Sequence, residues 1–253
     1  MTKKYLVIGD VHGRNHWKYS IEHFYGKADH IIFLGDYVDS HFIPFQEIAK
    51  NLEEIVKFKR ENMSVCTLLL GNHDVYADYF GGSNNYSGFN PQAAPLYSAI
   101  FEENRELFQI AHKYGKHLFT HAGIVKEWWE NQLRSHMPVP DINNIDVHIN
   151  KLLETRNRAL YMCSAYRGGM DLYSGPLWCD FNELKDFNLT DYVHHVGHTQ
   201  SPTLTICSPV GLKRKDSGDL YKYDFIPGGD TIYNYYPLIE INETDRSVGI
   251  NSL

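Results

Sequence analysis

The sequence predicts an α/β protein, a two-sheet β-sandwich flanked by helices and carrying a helical cap insertion. Three observations lead to this prediction. Five short apolar runs between residues 5 and 196 are typical of buried strands. The spacing of the first three runs accommodates one crossover helix each time, as right-handed βαβ units require. After residue 219, β-rich segments alternate with turns and are expected to complete the second sheet.

Each apolar run ends in a polar motif that contains metal-binding residue types. The runs occupy residues 5–8, 30–34, 65–70, 116–120 and 192–196. The motifs that follow them are, in order, GDVHG, GDYVD, GNHD, HAG and GHT. Ligands bind at the carboxyl edge of open α/β sheets, so these motifs are expected to meet at one site.

The GDYVD motif places two carboxylates, Asp36 and Asp39, three residues apart where a strand ends. There they would repel each other strongly unless a cation or a proton donor separated them. An Asp-containing turn also explains this motif when it is taken alone. The recurrence of such motifs at five strand ends favours a metal site.

Three helices are predicted between the motifs, over residues 15–26, 44–61 and 95–114. In the first helix Ile21, Phe24 and Tyr25 are expected to face the core. Pro44 opens the second helix, which carries an apolar stripe.

Three further segments do not follow this pattern of apolar runs, motifs and intervening helices. The glycine-rich segment 81–95 is predicted to be a mobile loop near the site, with a linker as the alternative. From about 125 to 178 helices are expected, and this segment is predicted to form the cap. Strands are expected within 220–225, 231–233 and 238–241.

The composition limits the classes of function. The 253 residues are predicted to form a single domain over 1–253. A net charge of −7 argues against general nucleic-acid binding, which needs clustered Lys and Arg. Four scattered cysteines without a CxxC pair suit a reducing compartment. No run fits a membrane span or a signal peptide, so a cytoplasmic location without membrane association is expected.

The five motifs together, spanning residues 9–199, resemble those of the calcineurin-like metallophosphoesterases. The resemblance is closest to the phosphoprotein-phosphatase branch, which includes bacteriophage lambda-type phosphatases and bacterial diadenosine tetraphosphatases. It implies the metallophosphoesterase fold and a hydrolase that acts on a phosphorylated small molecule, nucleotide or phosphoprotein.

The resemblance also implies a set of metal ligands with Asp36 as the bridge between two ions. The residues matching the first site are Asp10, His12 and Asp36, and those matching the second are Asp36, Asn72, His121 and His198. Mixed nitrogen and oxygen ligands suit transition metals better than Mg²⁺ or Ca²⁺. Two divalent ions are therefore expected, with Mn²⁺ as the first choice and Fe, Zn²⁺, Co²⁺ or Ni²⁺ as alternatives.

Hydrolysis of a phosphate ester needs a nucleophile, neutralisation of the phosphate charge and a proton for the leaving oxygen. Two metal ions can supply the first two by activating a bound water and binding the phosphate oxygens. By the family pattern His73 is the general acid, and Asp39 holds its imidazole and raises its pKa.

The sequence departs from the family pattern where substrate arginines are expected. The phosphoprotein-phosphatase branch reads GDxVDRG, whereas this chain has Ser40 and His41 at the end of that motif. A second arginine is expected near a tryptophan resembling Trp178, but the chain continues through Asp180. Since an arginine pair binds phosphate in a bidentate manner, its absence puts phosphoprotein substrates in doubt. Candidate substrate-binding residues are Arg167 and His41, and other arginines considered are Arg14 and Arg214.

Three functions remain open at this point. The first is a phosphatase that hydrolyses phosphomonoesters at a dinuclear metal site. The second is a phosphodiesterase or dinucleoside polyphosphate hydrolase. Aromatic residues of the cap could stack a base in such an enzyme, although burial in the core is their commoner role; the residues considered are Trp128, Trp129, Tyr166 and Tyr173. The third is a non-catalytic metal-binding scaffold, against which the complete ligand set and the His73–Asp39 pair count.

Overall fold

The computed structural model describes residues 1–75, 88–132, 141–207, 220–225, 227 and 235–251. Within these residues two mixed sheets are flanked by helices, which confirms the predicted fold class. The strands are β1 Thr2–Ile8, β2 His30–Phe33, β3 Cys66–Leu69, β4 Phe108–Gln109, β5 Ala111–Tyr114, β6 His117–Thr120, β7 Val193–Val196, β8 Thr205–Cys207, β9 Leu220–Lys222, β10 Leu238–Asn242 and β11 Val248–Asn251. The α-helices are α1 His16–His23, α2 Phe45–Glu61, α3 Ala94–Glu103, α4 Ile145–Glu154 and α5 Phe181–Phe187.

The first sheet has the strand order β11-β10-β1-β2-β3-β4. Strands β1 to β4 are parallel, and β10 and β11 continue the sheet in antiparallel fashion. Phe33 pairs with Ile8 on one side and with Leu68 on the other. The loops after β1, β2 and β3 therefore leave the sheet at the same edge.

The second sheet has the order β5-β6-β7-β9-β8. Its three central strands, β6, β7 and β9, are parallel, so their carboxyl ends also share one edge. The two sheets pack face to face through aromatic rings. Tyr5 of β1 stacks on Phe119 of β6 at 5.2 Å, and its hydroxyl lies 3.2 Å from Nε2 of His112 in β5.

Helices cover the outer faces of both sheets. Helix α2 starts directly after Pro44, as predicted, and its apolar stripe is buried at Ile48, Leu52 and Ile55. Helix α4 packs on the second sheet and anchors it where the chain crosses from β4 to β5. There the side-chain oxygen of Asn150 accepts hydrogen bonds from two consecutive backbone amides.

The first predicted helix is too long at its end. Helix α1 stops at His23, and Gly26 then adopts a left-handed conformation with φ 70°. Because Tyr25 falls in this turn, its side chain is 85% exposed, so the prediction that it faces the core is wrong. Phe24 is buried as expected.

The third predicted helix is also too long. Helix α3 ends at Glu103, and the residues from 108 to 114 form strands β4 and β5. The backbone of Phe108 pairs with Leu68 of β3. Pairing with two sheets thus overrides the local pattern that predicted a helix.

The C-terminal strands are divided between the sheets. Strand β9 joins the second sheet, as predicted, together with β8, which was not predicted, but β10 and β11 extend the first. Ile239 pairs with Tyr5, so β10 covers the free edge of β1. The prediction that the whole C-terminal part completes the second sheet is therefore wrong.

Some predictions lie outside the described residues: most of the glycine-rich loop before residue 88, Arg214 and the strand at 231–233. Within the described ranges, no helix combines the length and the apolar character that crossing a membrane requires.

Candidate metal centre

The predicted site residues come together at one end of the sandwich. Asp10 and His12 follow β1, Asp36 and Asp39 follow β2, and Asn72 and His73 follow β3; the second sheet adds His121 after β6 and His198 after β7. All except His121 line one pocket of about 540 Å³, and His121 lies beneath it, in contact with Asn72 and His198. The carboxyl ends of parallel strands from two sheets thus face a common cavity.

The first group of donor atoms belongs to Asp10, His12 and Asp36. Their ligand atoms lie within 4.8 Å of one another. Nδ1 of His12 is 2.9 Å from the carbonyl oxygens of both Val38 and Asp39. Because carbonyls only accept hydrogen bonds, Nδ1 carries the proton, and Nε2 of the neutral ring is left to bind a metal.

The second group again includes Asp36, now with His121 and His198, within the same 4.8 Å limit. Nδ1 of His121 donates to the carbonyl oxygen of Leu34 at 2.8 Å, which leaves Nε2 with its lone pair. Oδ1 of Asn72 lies 3.0 Å from that Nε2. Asp36 is therefore common to both groups, in the place expected for a bridging carboxylate.

The donor atoms of the second group fit a bound cation. Burial lowers the pKa of His121, although the carboxylate of Asp36 opposes this. Its Nε2 faces three further donor atoms, Oδ1 of Asn72 at 3.0 Å, Nδ1 of His198 at 3.2 Å and a carboxylate oxygen of Asp36 at 3.4 Å. Lone pairs directed at one point without enough protons between them are what a divalent ion would stabilise.

The acidic side chains of the site also fit a bound cation. Asp10 and Asp36 are each only 2% exposed. Burial, together with the carboxylates of Asp224 and Asp36, raises the pKa of Asp10 well above its ordinary value. Burial alone would also raise the pKa of Asp36, yet the imidazoles of His121 and His73 hold it below the ordinary value. A bound cation would favour the ionised form of both carboxylates.

The predicted acid and its partner are in contact. Nδ1 of His73 lies 3.0 Å from Oδ2 of Asp39, and the backbone amide of His73 donates to Oδ1 of Asp36 at 2.9 Å. Burial disfavours the charged ring of His73, but Asp36 and Asp39 outweigh it and raise its pKa to about 9. The imidazole therefore retains its proton at neutral pH and faces the pocket.

Four site residues adopt strained backbone conformations. The φ angles of His12, Asp36, Asp39 and His198 are 45°, 51°, 63° and 64°. Among the described non-glycine residues only Arg156 shares a positive φ. Such conformations cost roughly 1–3 kcal/mol each and persist only where the surrounding structure holds them. Their concentration here marks the functional part of the molecule.

Asp74 joins the loops that carry these residues. Its carboxylate accepts hydrogen bonds from the backbone amides of Asp36 and Tyr37, at 2.7 Å each, and of Gly71 at 2.8 Å. The side chain is fully buried. Gly71 permits this close approach, since a Cβ there would lie 2.1 Å from Oδ1 of Asp36. Asp74 thus fixes the second and third motifs relative to each other.

Both candidate substrate-binding residues, Arg167 and His41, line the pocket. Arg167 donates to the hydroxyl of Thr199 at 2.6 Å, and its Nε lies 2.9 Å from Oδ2 of Asp180. Asp180 stands near the position where an arginine was expected, and its carboxylate fixes the orientation of the Arg167 side chain.

The loop that carries Arg167 is anchored by a buried carboxylate of α5. The buried Glu183 in α5 accepts hydrogen bonds from the hydroxyl of Ser164 at 2.7 Å and the amide of Ser174 at 2.9 Å. These two contacts close the loop around Arg167 at both ends. Within the predicted cap segment, Arg167 and Trp178 are the described residues that line the pocket, whereas α4 lies against the second sheet.

Several pocket residues were missed by sequence reasoning. Besides Arg14 and Trp178, which were considered, the pocket is lined by Phe42, Gln200 and Asp224. Asp224 follows β9, which is parallel to β7, so its position at a strand end could have identified it. No comparable signal marks Phe42. Two of the aromatic residues considered for stacking a base, Trp128 and Trp129, are buried in the core at 0% and 5% exposure, which agrees with the commoner role of such residues.

Comparison with known proteins gives an independent result. Residues 3–202 match the family model described as calcineurin-like phosphoesterase. A search of curated proteins finds no significant match. The family assignment therefore rests on a match that extends over most of the chain.

Similar solved structures align over nearly the whole chain at low identity. A metallophosphoesterase from Sphaerobacter thermophilus is 14% identical, with 99% of this chain and 88% of that chain covered and a TM-score of 0.42. A serine/threonine phosphatase from Saccharomyces cerevisiae, similar to human phosphatase PP5, is 13% identical; the alignment covers 99% of this chain and 79% of that chain, with a TM-score of 0.48. A conserved uncharacterized protein from Streptococcus pneumoniae, a predicted phosphoesterase, is 11% identical; the alignment covers 100% of this chain and 90% of that chain, with a TM-score of 0.35.

Replacing Asp74 by alanine is expected to destabilise the fold and weaken metal binding. Three buried amides would lose their acceptor, so the free energy of unfolding should fall by about 3 kcal/mol or more. Asp74→Asn, which keeps one acceptor oxygen, should lie between the wild type and Asp74→Ala. Urea denaturation measures the effect, with exposed Asp191→Ala as the control. Equal midpoints for Asp74→Ala and the control would contradict this role.

Proposed function

Because the chain belongs to the calcineurin-like phosphoesterase family, and is therefore a metal-dependent hydrolase of phosphoric esters, we propose that it hydrolyses phosphomonoesters at a two-metal centre. The observation that carries this proposal is the position of Asp36. Its carboxylate belongs to both donor groups and lies directly beside the His73–Asp39 pair. Metal ligation and proton donation would thus be organised around one residue.

In this proposal Asp10, His12 and Asp36 hold the first ion. The second ion is held by Asp36 and by three further residues, Asn72, His121 and His198. When bound, the two ions would lower the pKa of a water molecule to yield the nucleophile and would neutralise phosphate charge. We propose Mn²⁺ first, with Fe, Zn²⁺, Co²⁺ or Ni²⁺ also suited to the mixed donors.

His73 would supply the proton that the leaving oxygen needs. Its Nδ1 donates to Asp39, so the proton on Nε2 is the one available to a substrate in the pocket. Asp39 fixes the orientation of the ring, and Asp36 and Asp39 together hold its pKa high. Asp39 is itself 3% exposed, and its carboxylate is therefore protected from competing water.

The preference for monoesters rests on positive charge in the pocket. A dianionic monoester gains more from nearby cations than a monoanionic diester does. Arg167 lies next to His198 in the pocket wall and is held by Asp180. It is therefore the residue proposed to bind the phosphate where the usual arginines are missing.

A second candidate function is the hydrolysis of phosphodiesters or dinucleoside polyphosphates. Phe42 favours it, because this side chain lines the pocket and is 92% exposed, as a surface for stacking a base would be. Trp178, also in the pocket, could contribute a second ring. A non-catalytic scaffold has no support, since the family is one of hydrolases.

A substrate panel separates the two candidates. The protein loaded with Mn²⁺ should hydrolyse p-nitrophenyl phosphate with a higher kcat/KM than bis-p-nitrophenyl phosphate or a dinucleoside polyphosphate. The same panel with Zn²⁺ and Co²⁺ tests the metal preference. A higher kcat/KM for the diester or the dinucleotide with every metal would reverse the assignment.

Asp36→Asn is expected to lose both ions or nearly all activity, because the amide cannot bridge two cations as a carboxylate does. Metal content after gel filtration measures retention without relying on turnover. Exposed Asp191→Asn is the matched control. Two tightly bound ions and normal turnover in Asp36→Asn would show that the bridging role is wrong.

His73→Ala is expected to keep its metals and lose turnover by roughly 10²–10⁴-fold, the contribution of a general acid. The loss should be smaller for p-nitrophenyl phosphate, whose leaving group needs no proton, than for an alkyl phosphate. His148→Ala, outside the pocket, is the control. The same loss for both leaving groups would count against the acid role.

The pH profile provides a second check on His73. Turnover should fall as the pH rises through the pKa of His73, at or below about 9, because the acid then loses its proton. In Asp39→Asn the pKa of His73 should drop, so this alkaline limb should move to lower pH.

A further inference from the structure

Arg14 follows the first motif at the wall of the pocket. The preceding turn is tightly held: the amides of His12 and Gly13 donate to the carbonyl oxygens of Asp36 and Tyr37 at 2.7 and 3.0 Å. The amide of Arg14 closes the turn by donating to the carbonyl of Val11 at 2.9 Å. The side chain of Arg14 therefore starts from a fixed point next to the first donor group.

A buried asparagine supports this position from the other side. Asn51 of α2 is 3% exposed, and its amide donates to the carbonyl of Arg14 at 3.4 Å and to Oδ1 of Asn15 at 2.6 Å. Its oxygen accepts a hydrogen bond from the indole of Trp17 at 3.2 Å. The backbone of Arg14 is thus anchored to a helix in the core.

The guanidinium of Arg14, by contrast, has no protein partner within the described part of the chain. Three of the described arginines are partly buried, namely Arg14, Arg167 and Arg246. Arg167 binds Asp180 and Thr199, and Arg246 donates to two backbone carbonyls. No hydrogen bond or ion pair joins the guanidinium of Arg14 to a described residue. A guanidinium that lies in a pocket wall without such a partner is available to a ligand.

The positions of the two pocket arginines differ. Arg14 lies two residues after His12 of the first donor group, whereas Arg167 donates to the hydroxyl of Thr199, the residue next to His198 of the second. Burial raises the pKa of Asp224 and both arginines oppose this, yet within the described part of the chain neither arginine forms an ion pair with its carboxylate. A guanidinium group therefore lies near each donor group, and of these two only the guanidinium of Arg167 is already paired with a described residue.

We propose that Arg14 binds an oxyanion of the substrate and determines specificity for anionic ligands. This inference rests on the proposed function and adds a binding residue to it. The planar guanidinium suits the bidentate recognition of phosphoryl or carboxylate oxygens. The oxyanion is either the phosphoryl group that is hydrolysed or a second anionic group on the same substrate.

The test compares Arg14→Ala and Arg14→Lys with Arg105→Ala, which removes the same charge at an exposed position outside the pocket. Metal content and thermal unfolding are measured first, to verify that each variant is folded and loaded. The KM for p-nitrophenyl phosphate and the calorimetric Kd values for inorganic phosphate and pyrophosphate are then determined.

Arg14→Ala is expected to weaken binding roughly tenfold, as the loss of a charge-assisted hydrogen bond predicts. Arg14→Lys should lie in between, because lysine keeps the charge and loses the planar fork. Weaker binding of p-nitrophenyl phosphate and phosphate assigns Arg14 to the hydrolysed group. Weaker binding of pyrophosphate alone assigns it to a second anionic group.

Identical behaviour of Arg14→Ala and Arg105→Ala toward all three ligands would overturn the proposal. The proposed function is tested separately by the turnover of the wild type. Because calorimetry measures anion binding without turnover, the two failures can be distinguished.

Discussion

The buried carboxylate of Asp36 is the constraint on which the rest of the site depends. A charge at 2% exposure must be offset on every side, and each neighbouring loop contributes to this. Its backbone amide donates to Asp74, and its side chain accepts a hydrogen bond from the amide of His73. The imidazoles of His12 and His121 lie 3.7 and 3.4 Å from Oδ2. The loops after β1, β2, β3 and β6 are thus all placed by their contacts with one side chain.

This arrangement requires strained loops on a rigid base. Positive φ angles at His12, Asp36, Asp39 and His198 are unfavourable in isolation, so the energy that maintains them must come from elsewhere. The parallel strands that precede these residues are fully buried in their last positions, and aromatic contacts such as Tyr5 on Phe119 join the two sheets. Fixed strand ends position site residues more accurately than loops alone could.

How much the sequence predicted depended on the range of the interactions involved. Local signals were sufficient where a strand end and its motif are contiguous, which is why Asp10, Asn72 and His121 were assigned a common site. They failed where the pairing strands are distant in the sequence. Residues 108–114 follow a helical pattern but pair with both sheets. Strand β10 pairs with β1, which lies at the other end of the chain. The role of Asp180 in holding Arg167 was likewise not predictable, because 12 residues and a separate loop lie between them.

The two donor groups differ in how they relate to the sheets. The first takes all its residues from loops of the first sheet, whereas the second combines Asp36 and Asn72 of the first sheet with His121 and His198 of the second. An ion in the second group would therefore act as a cross-link between the two halves of the sandwich. By mass action, each tenfold rise in free ion above its dissociation constant would add about 1.4 kcal/mol to their association. The rigidity of the whole molecule would then follow the supply of metal in its surroundings.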